Sequence, residues 1–144
     1  MASSPDSASP PVPRSACPIA NALDLLGDRW TLLVIRDLLF LGKRRFGELL
    51  SSPEGIPTNI LTDRLRRLEE RGLVEKVQYQ LRPPRYEYQL TAMGMDLLPV
   101  LRSLAEWSLR HVPGTEAPPS EVLEGYKERF REIAGPRKAG EQAP

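Results

Sequence analysis

Cysteine and histidine are almost missing: the 144 residues hold one of each, Cys17 and His111. No disulfide can close within the chain, and a four-ligand Cys/His zinc site cannot be assembled. An imbalance of charge is lacking too, since twenty Lys and Arg face nineteen Asp and Glu for a formal net charge of +1. That excludes a uniformly basic nucleic-acid coat and an acidic tail protein, so a charged partner has to be met by a local patch. The longest unbroken aliphatic run, Leu32–Ile35, falls far short of the roughly 20 residues that cross a bilayer. The first sixteen residues carry no apolar signal-peptide core. The expected protein is soluble, cytoplasmic and reduced, with no membrane partner. Phosphate-binding glycine motifs, His-Glu-x-x-His and Gly-x-Ser-x-Gly are all absent, and one histidine is poor material for a triad. Neither enzymatic activity nor a metal or cofactor is expected.

Proline is plentiful by contrast, and four of the fifteen (Pro5, Pro10, Pro11, Pro13) lie in residues 1–16 beside five serines. Such a segment buries too little to offset its ordering entropy and reads as a disordered tail. From Pro18 apolar residues recur at helical intervals, broken at Gly27-Asp28, which gives a helix near 18–26 and another near 29–40. The second is apolar nearly all round and therefore central to a core. A short helical segment over residues 45–50 precedes a helix that begins at Pro57 and stops at Gly72. On that helix Leu61, Leu65 and Leu68 fall within about 60° of one another on a helical wheel. Asn59, Thr62, Asp63, Arg66 and Glu70 occupy the opposite face.

After Gly72 the period changes to two, and Val77 and Tyr79, then Tyr86, Tyr88 and Leu90, mark two antiparallel strands joined by Leu81–Arg85. Thr91 is a plausible N-cap for one long helix to His111, closed by Pro113-Gly114. Its stripe of Leu97, Val100, Leu101, Leu104 and Trp107 is too long for one small domain to cover and predicts a dimer interface. Residues 114–144 form a C-terminal extension, with a helix near 120–133 bearing Val122, Tyr126, Phe130 and Ile133 on one stripe and a disordered end. This order of elements describes a mainly helical chain with a small β wing: a winged helix-turn-helix domain over 17–113 with dimerisation helices.

Residues 43–89 hold ten basic and seven acidic residues, whereas the flanking segments are each slightly acidic. The excess coincides with the predicted reader of double-stranded DNA. Lys43, Arg44, Arg45, Arg82 and Arg85 are candidate phosphate anchors, and Thr58, Asn59, Thr62, Arg64 and Arg66 candidate groove contacts. Asn can pair with the adenine N6/N7 edge and Arg with guanine O6/N7. A plain solvated helix face is the commonest meaning of such residues, but here the helix lies between a turn signal and a wing. A winged-helix module that binds a protein instead would expose apolar anchors at these positions. Trp30, Phe46 and Trp107 read as core or interface, and His111 as a surface residue.

The string Cys17-Pro18, Gly27-Asp28-Arg29-Trp30, Arg45-Phe46-Gly47-Glu48-Leu49, Gly55–Leu61, Asp63-Arg64-Leu65, Leu68-Glu69, Gly72-Leu73-Val74, Tyr86-Glu87-Tyr88, Leu90-Thr91, Gly94 and Leu97–Leu101, ending at Trp107, resembles the HxlR-type winged helix-turn-helix regulators, distant relatives of the MarR group. Arg29 stands where the family usually has Lys, and residues 114–144 exceed its typical core. The resemblance implies a homodimeric transcriptional regulator, expected to repress from a pseudo-palindromic operator and to answer a small-molecule or oxidant effector. Cys17 has two readings. It is either a small apolar residue at the edge of the dimer helices or, beside a helix N-terminus that stabilises thiolate, a redox sensor of the kind several family members carry.

Overall fold

The computed structural model describes residues 12–125. Helices α1 (Pro18–Leu26), α2 (Thr31–Leu39), α3 (Phe46–Leu50) and α4 (Thr58–Glu70) precede a two-stranded antiparallel sheet of β1 (Val74–Gln80) and β2 (Arg85–Leu90), and helices α5 (Ala92–Met95) and α6 (Leu98–His111) follow it. A further helical segment begins at 120 and is described as far as 125. Tyr126, Phe130 and Ile133 of the predicted C-terminal stripe lie outside the described residues, as do residues 1–11 of the predicted tail. Residues 12–16 form neither helix nor strand, although Arg14 Nε donates to Asp24 Oδ1 of α1 at 2.7 Å.

Leucine spacing positions the reading helix. Leu61, Leu65 and Leu68 of α4 are fully buried against Val34, Ile35 and Leu38 of α2, Leu49 of α3, and Ile56, Leu73 and Val74. Trp30 and Phe46 pack onto this core from its edge, as the sequence implied. The last turn of α4 then ends sharply. Gly72 adopts φ +79, Gly72 N–H donates to Glu69 O at 3.1 Å and Leu73 N–H to Leu68 O at 2.9 Å. These two bonds are the paired closure that a left-handed residue after a helix makes, with buried Leu73 and Leu68 meeting beneath it. The chain thereby turns into β1 with the Leu68 and Glu69 carbonyls satisfied.

β1 and β2 pair from Val74 opposite Leu90 to Gln78 opposite Tyr86, with a bulge before Gln80 opposite Arg85. The sheet is fastened at its base. Thr91 N–H donates to Leu73 O at 3.0 Å, Thr91 Oγ1 donates to Gly72 O at 2.6 Å, and the same hydroxyl accepts from Gly94 N–H at 3.2 Å, capping α5 as expected. At its outer side Tyr88 N–H donates to Arg44 O at 2.7 Å, which ties β2 to the segment before α3.

One expectation is overturned here. The single helix from Thr91 to His111 is two helices, because Pro99 has no N–H to give Met95 and its ring would strike that carbonyl. The predicted stripe, all of it on α6 from its N-cap Leu97, is also divided by burial. Leu97 and Leu101 pack against the core of their own domain, whereas Val100, Leu104 and Trp107 face outward, with Leu104 50% and Trp107 59% exposed.

Candidate nucleic-acid interface

Helix α4 turns its polar face away from the leucines that hold it. Thr58 and Asn59 are exposed in its first turn, and Thr62 is exposed one turn later, its hydroxyl donating to Thr58 O at 2.9 Å. Among the described residues the Asn59 amide has no hydrogen-bond partner, and it stands at the N-terminal end of α4, the end that enters the groove in helix-turn-helix readers. Arg66 is exposed but not idle: Nη2 lies 2.7 Å from Asp63 Oδ1 and Nη1 3.0 Å from Glu70 Oε1. Hydrogen bonding from Arg66 holds the Asp63 carboxyl below its ordinary range. Such exposed pairs are weak and exchange readily, so Arg66 can leave them for a base edge.

Arg64 departs from the sequence expectation of a cation on the open face. Its side chain is only 16% exposed; Nε donates to Asp28 Oδ2 at 2.8 Å and Nη1 to Asp63 Oδ2. Asp28 itself was legible only as an interruption between helices. Its Oδ2 also accepts the N–H groups of Trp30 at 3.0 Å and Thr31 at 3.1 Å, and its Oδ1 accepts the Thr31 hydroxyl, so it caps α2. Burial raises the Asp28 carboxyl, but the bonds from Thr31, Arg64 and the Trp30 amide outweigh it and bring its pKa to about 2. An acid three residues before a Thr that opens an apolar helix is the signal that could have found this cap.

The predicted phosphate anchors separate into two groups. Arg44, Arg82 and Arg85 are exposed with no ion pair among the described residues, the last two at the end of the wing. Lys43, expected to be an open cation, is instead largely buried, with Nζ 2.9 Å from Ser52 Oγ and 3.7 Å from Asp37 Oδ2. A buried carboxylate requires such partners: Asp37 is enclosed by Lys43, Ser52 and Arg36, and Arg36 reaches on to Glu54 in two bonds of 3.0 and 2.7 Å. This network holds the turn between α3 and α4. Arg45 is intermediate. It is exposed, but its guanidinium lies 4.5 Å from the centre of the Tyr79 ring and its Nε 3.6 Å from Glu87, so it braces the wing against the start of α3.

Away from this face, Cys17 is exposed at the N-cap of α1, its carbonyl accepting Asn21 N–H at 3.0 Å and its side chain making no capping bond. Pro99, Val100, Ser103, Leu104 and Trp107 line an open apolar groove of about 490 Å³ on α6. His111 is exposed, its ring centre 5.3 Å from that of Trp107 and tilted 46° to it, and Trp107 sits on the surface rather than in the core. No helix among the described residues is long and apolar enough to cross a membrane, and no cluster of residues there could hold a metal.

A family model described as HxlR-like helix-turn-helix matches residues 25–116, well over half of the chain. An uncharacterised HTH-type transcriptional regulator of Mycobacterium tuberculosis, MT3179, is 45% identical over 101 residues, 70% of this chain and 63% of that protein. The chain thus spans somewhat less than two thirds of that relative. Among solved structures, PA1607, a proposed transcription factor, superposes with a TM-score of 0.65 at 32% identity, covering 91% of this chain and 82% of that one. The redox regulator HypR in its oxidised form gives a TM-score of 0.57 at 34% identity, covering 66% of this chain and 97% of its own. An exposed polar helix set on a leucine face, a two-stranded wing beside it and this matched span agree: the chain belongs to the HxlR-like helix-turn-helix family.

Proposed function

We propose that this protein is a transcriptional regulator that binds a pseudo-palindromic DNA operator as a cytoplasmic homodimer and represses transcription. The observation that carries the reading is the pairing, on one domain, of an exposed polar α4 with a wing whose Arg82 and Arg85 have no competing ion pair among the described residues. In this reading Thr58, Asn59, Thr62 and Arg66 meet base edges or flanking phosphates in the major groove, and Arg44, Arg82 and Arg85 anchor the backbone. Lys43, Arg45 and Arg64 act chiefly by holding that surface in shape. The outward side chains Val100, Leu104 and Trp107, together with exposed Ile19 and Leu23 of α1, form the dimer face. Two-fold closure then sets the reading helices roughly 34 Å apart, one turn of B-DNA, or a multiple of it.

Cys17 is the proposed point of entry for an oxidant or electrophile. Its exposed thiol stands at the start of the helix that contributes to the dimer face, and the structurally similar HypR is a redox regulator. With one cysteine in the chain, oxidation ends in a sulfenic acid, a mixed disulfide or a bridge to another chain. The test is selection of duplexes from a random-sequence pool with the purified protein. Enrichment of an inverted repeat is the expected result, and no enrichment over the input pool would favour a protein-binding role for the same surface.

A further inference from the structure

We propose that Arg64 is a positioning residue, which by locking onto Asp28 fixes the setting of α4 relative to α1. The proposal rests on the DNA-binding reading for its consequence, but not for its geometry. Apolar packing through Leu61, Leu65 and Leu68 holds α4 to the core without strong directional preference. A planar guanidinium bonded to a fixed carboxylate supplies the missing direction.

Asp28 is such a fixed carboxylate. Bonds to the Trp30 and Thr31 amides and the Thr31 hydroxyl leave it one orientation, and Arg64 Nε takes the remaining place at 2.8 Å. The connection on the other side has no slack. Gly27 N–H closes α1 onto Leu23 O at 2.7 Å, a Cβ at Gly27 would meet that same carbonyl oxygen at 2.4 Å, and Asp28 is the next residue. The path from the end of α1 to the middle of α4 is therefore one glycine, one capping aspartate and one arginine. Among the described residues this is the only ion pair joining α4 to a residue outside it, and that residue lies in the connection between α1 and α2. A small rotation of α1 against a partner must carry Arg64, and with it Asn59 and Thr62, to a new setting.

The variants are Asp28→Asn, Arg64→Gln and their combination. Asn caps a helix about as well as Asp, so D28N keeps α2 intact while weakening the hold on Arg64, and it removes no cation that DNA could use. The probes are the duplex enriched by the wild-type protein and a random duplex of equal length. D28N is expected to lower affinity for the enriched duplex about tenfold while leaving the random duplex and the salt slope unchanged, and the double variant to lose no more than the single ones. Hydrogen exchange on the free proteins should be faster across the first half of α4 in both D28N and R64Q. Wild-type affinity in D28N combined with a salt slope reduced by about one in R64Q would make Arg64 a phosphate contact and overturn the proposal. Unchanged exchange in both variants would overturn it whether or not DNA is bound. If the wild-type protein enriches no duplex, the DNA-binding reading fails, and exchange alone still decides the lock.

Discussion

Asp28 accepts four hydrogen bonds with two oxygens, and its titration measures what they contribute. With its pKa brought to about 2 in the folded protein, against roughly 3.9 in an unfolded chain, the native state favours the ionised form. That stabilisation is complete above about pH 4 and is lost as pH falls towards 2. The gap in urea midpoint between wild type and D28N should therefore be constant near neutrality and narrow over that acid window; a gap independent of pH would show that the carboxylate charge contributes nothing. Gly94 is a second sensitive position, for a steric reason. A Cβ there would stand 2.3 Å from Leu73 O and 2.9 Å from Leu90 Cδ2, where the base of the sheet meets α5. Backbone cannot yield as a flexible side chain would, so Gly94→Ala should cost about 1–3 kcal/mol in denaturant unfolding and loosen the wing, whereas Gly47→Ala, open on that side, should cost little.

At the scale of elements, α4 and the wing are expected to divide the work of recognition. Arg82→Ala, on the exposed end of the wing, should weaken binding to every sequence alike and reduce the salt slope by about one. Arg66→Ala should instead relax base preference at one position in each half-site; equal losses on selected and random duplexes would move Arg66 to the backbone. The positions of α1, α2 and α4 were legible because leucine periodicity and the glycines at 27 and 72 are local signals, and Thr91 was legible as a cap for the same reason. The direction of a long side chain was not. Arg64 lies on the polar flank of α4 by spacing, but its partner is 36 residues away in sequence. Lys43 is likewise claimed by a buried aspartate, Asp37, whose helix gave no hint of what it faced. The break between α5 and α6 was written in Pro99, where the apolar stripe on either side masked it.

Assembly belongs to the whole molecule, and the division of the α6 stripe decides how to test it. Leu101 packs inward, so a charge there would unfold the domain and say nothing about association. Leu104 is half exposed and makes the cleaner probe. Leu104→Glu should keep the wild-type circular dichroism spectrum and unfolding midpoint at low concentration while shifting sedimentation from dimer to monomer and abolishing tight operator binding. Wild-type protein that sediments as a monomer at micromolar concentration would sink the dimer. The two tryptophans offer a second view of the same event. Trp30 packs on the core at the start of α2, and Trp107 lies 59% exposed on α6 against His111. Their fluorescence should respond to different processes: Trp30 emission changes with unfolding, while Trp107 in a Trp30→Phe background is open to iodide quenching when the protein is dilute and shielded as it associates. In the proposed dimer Trp107 would thus serve as an internal optical reporter of subunit exchange, readable during operator binding without any added label.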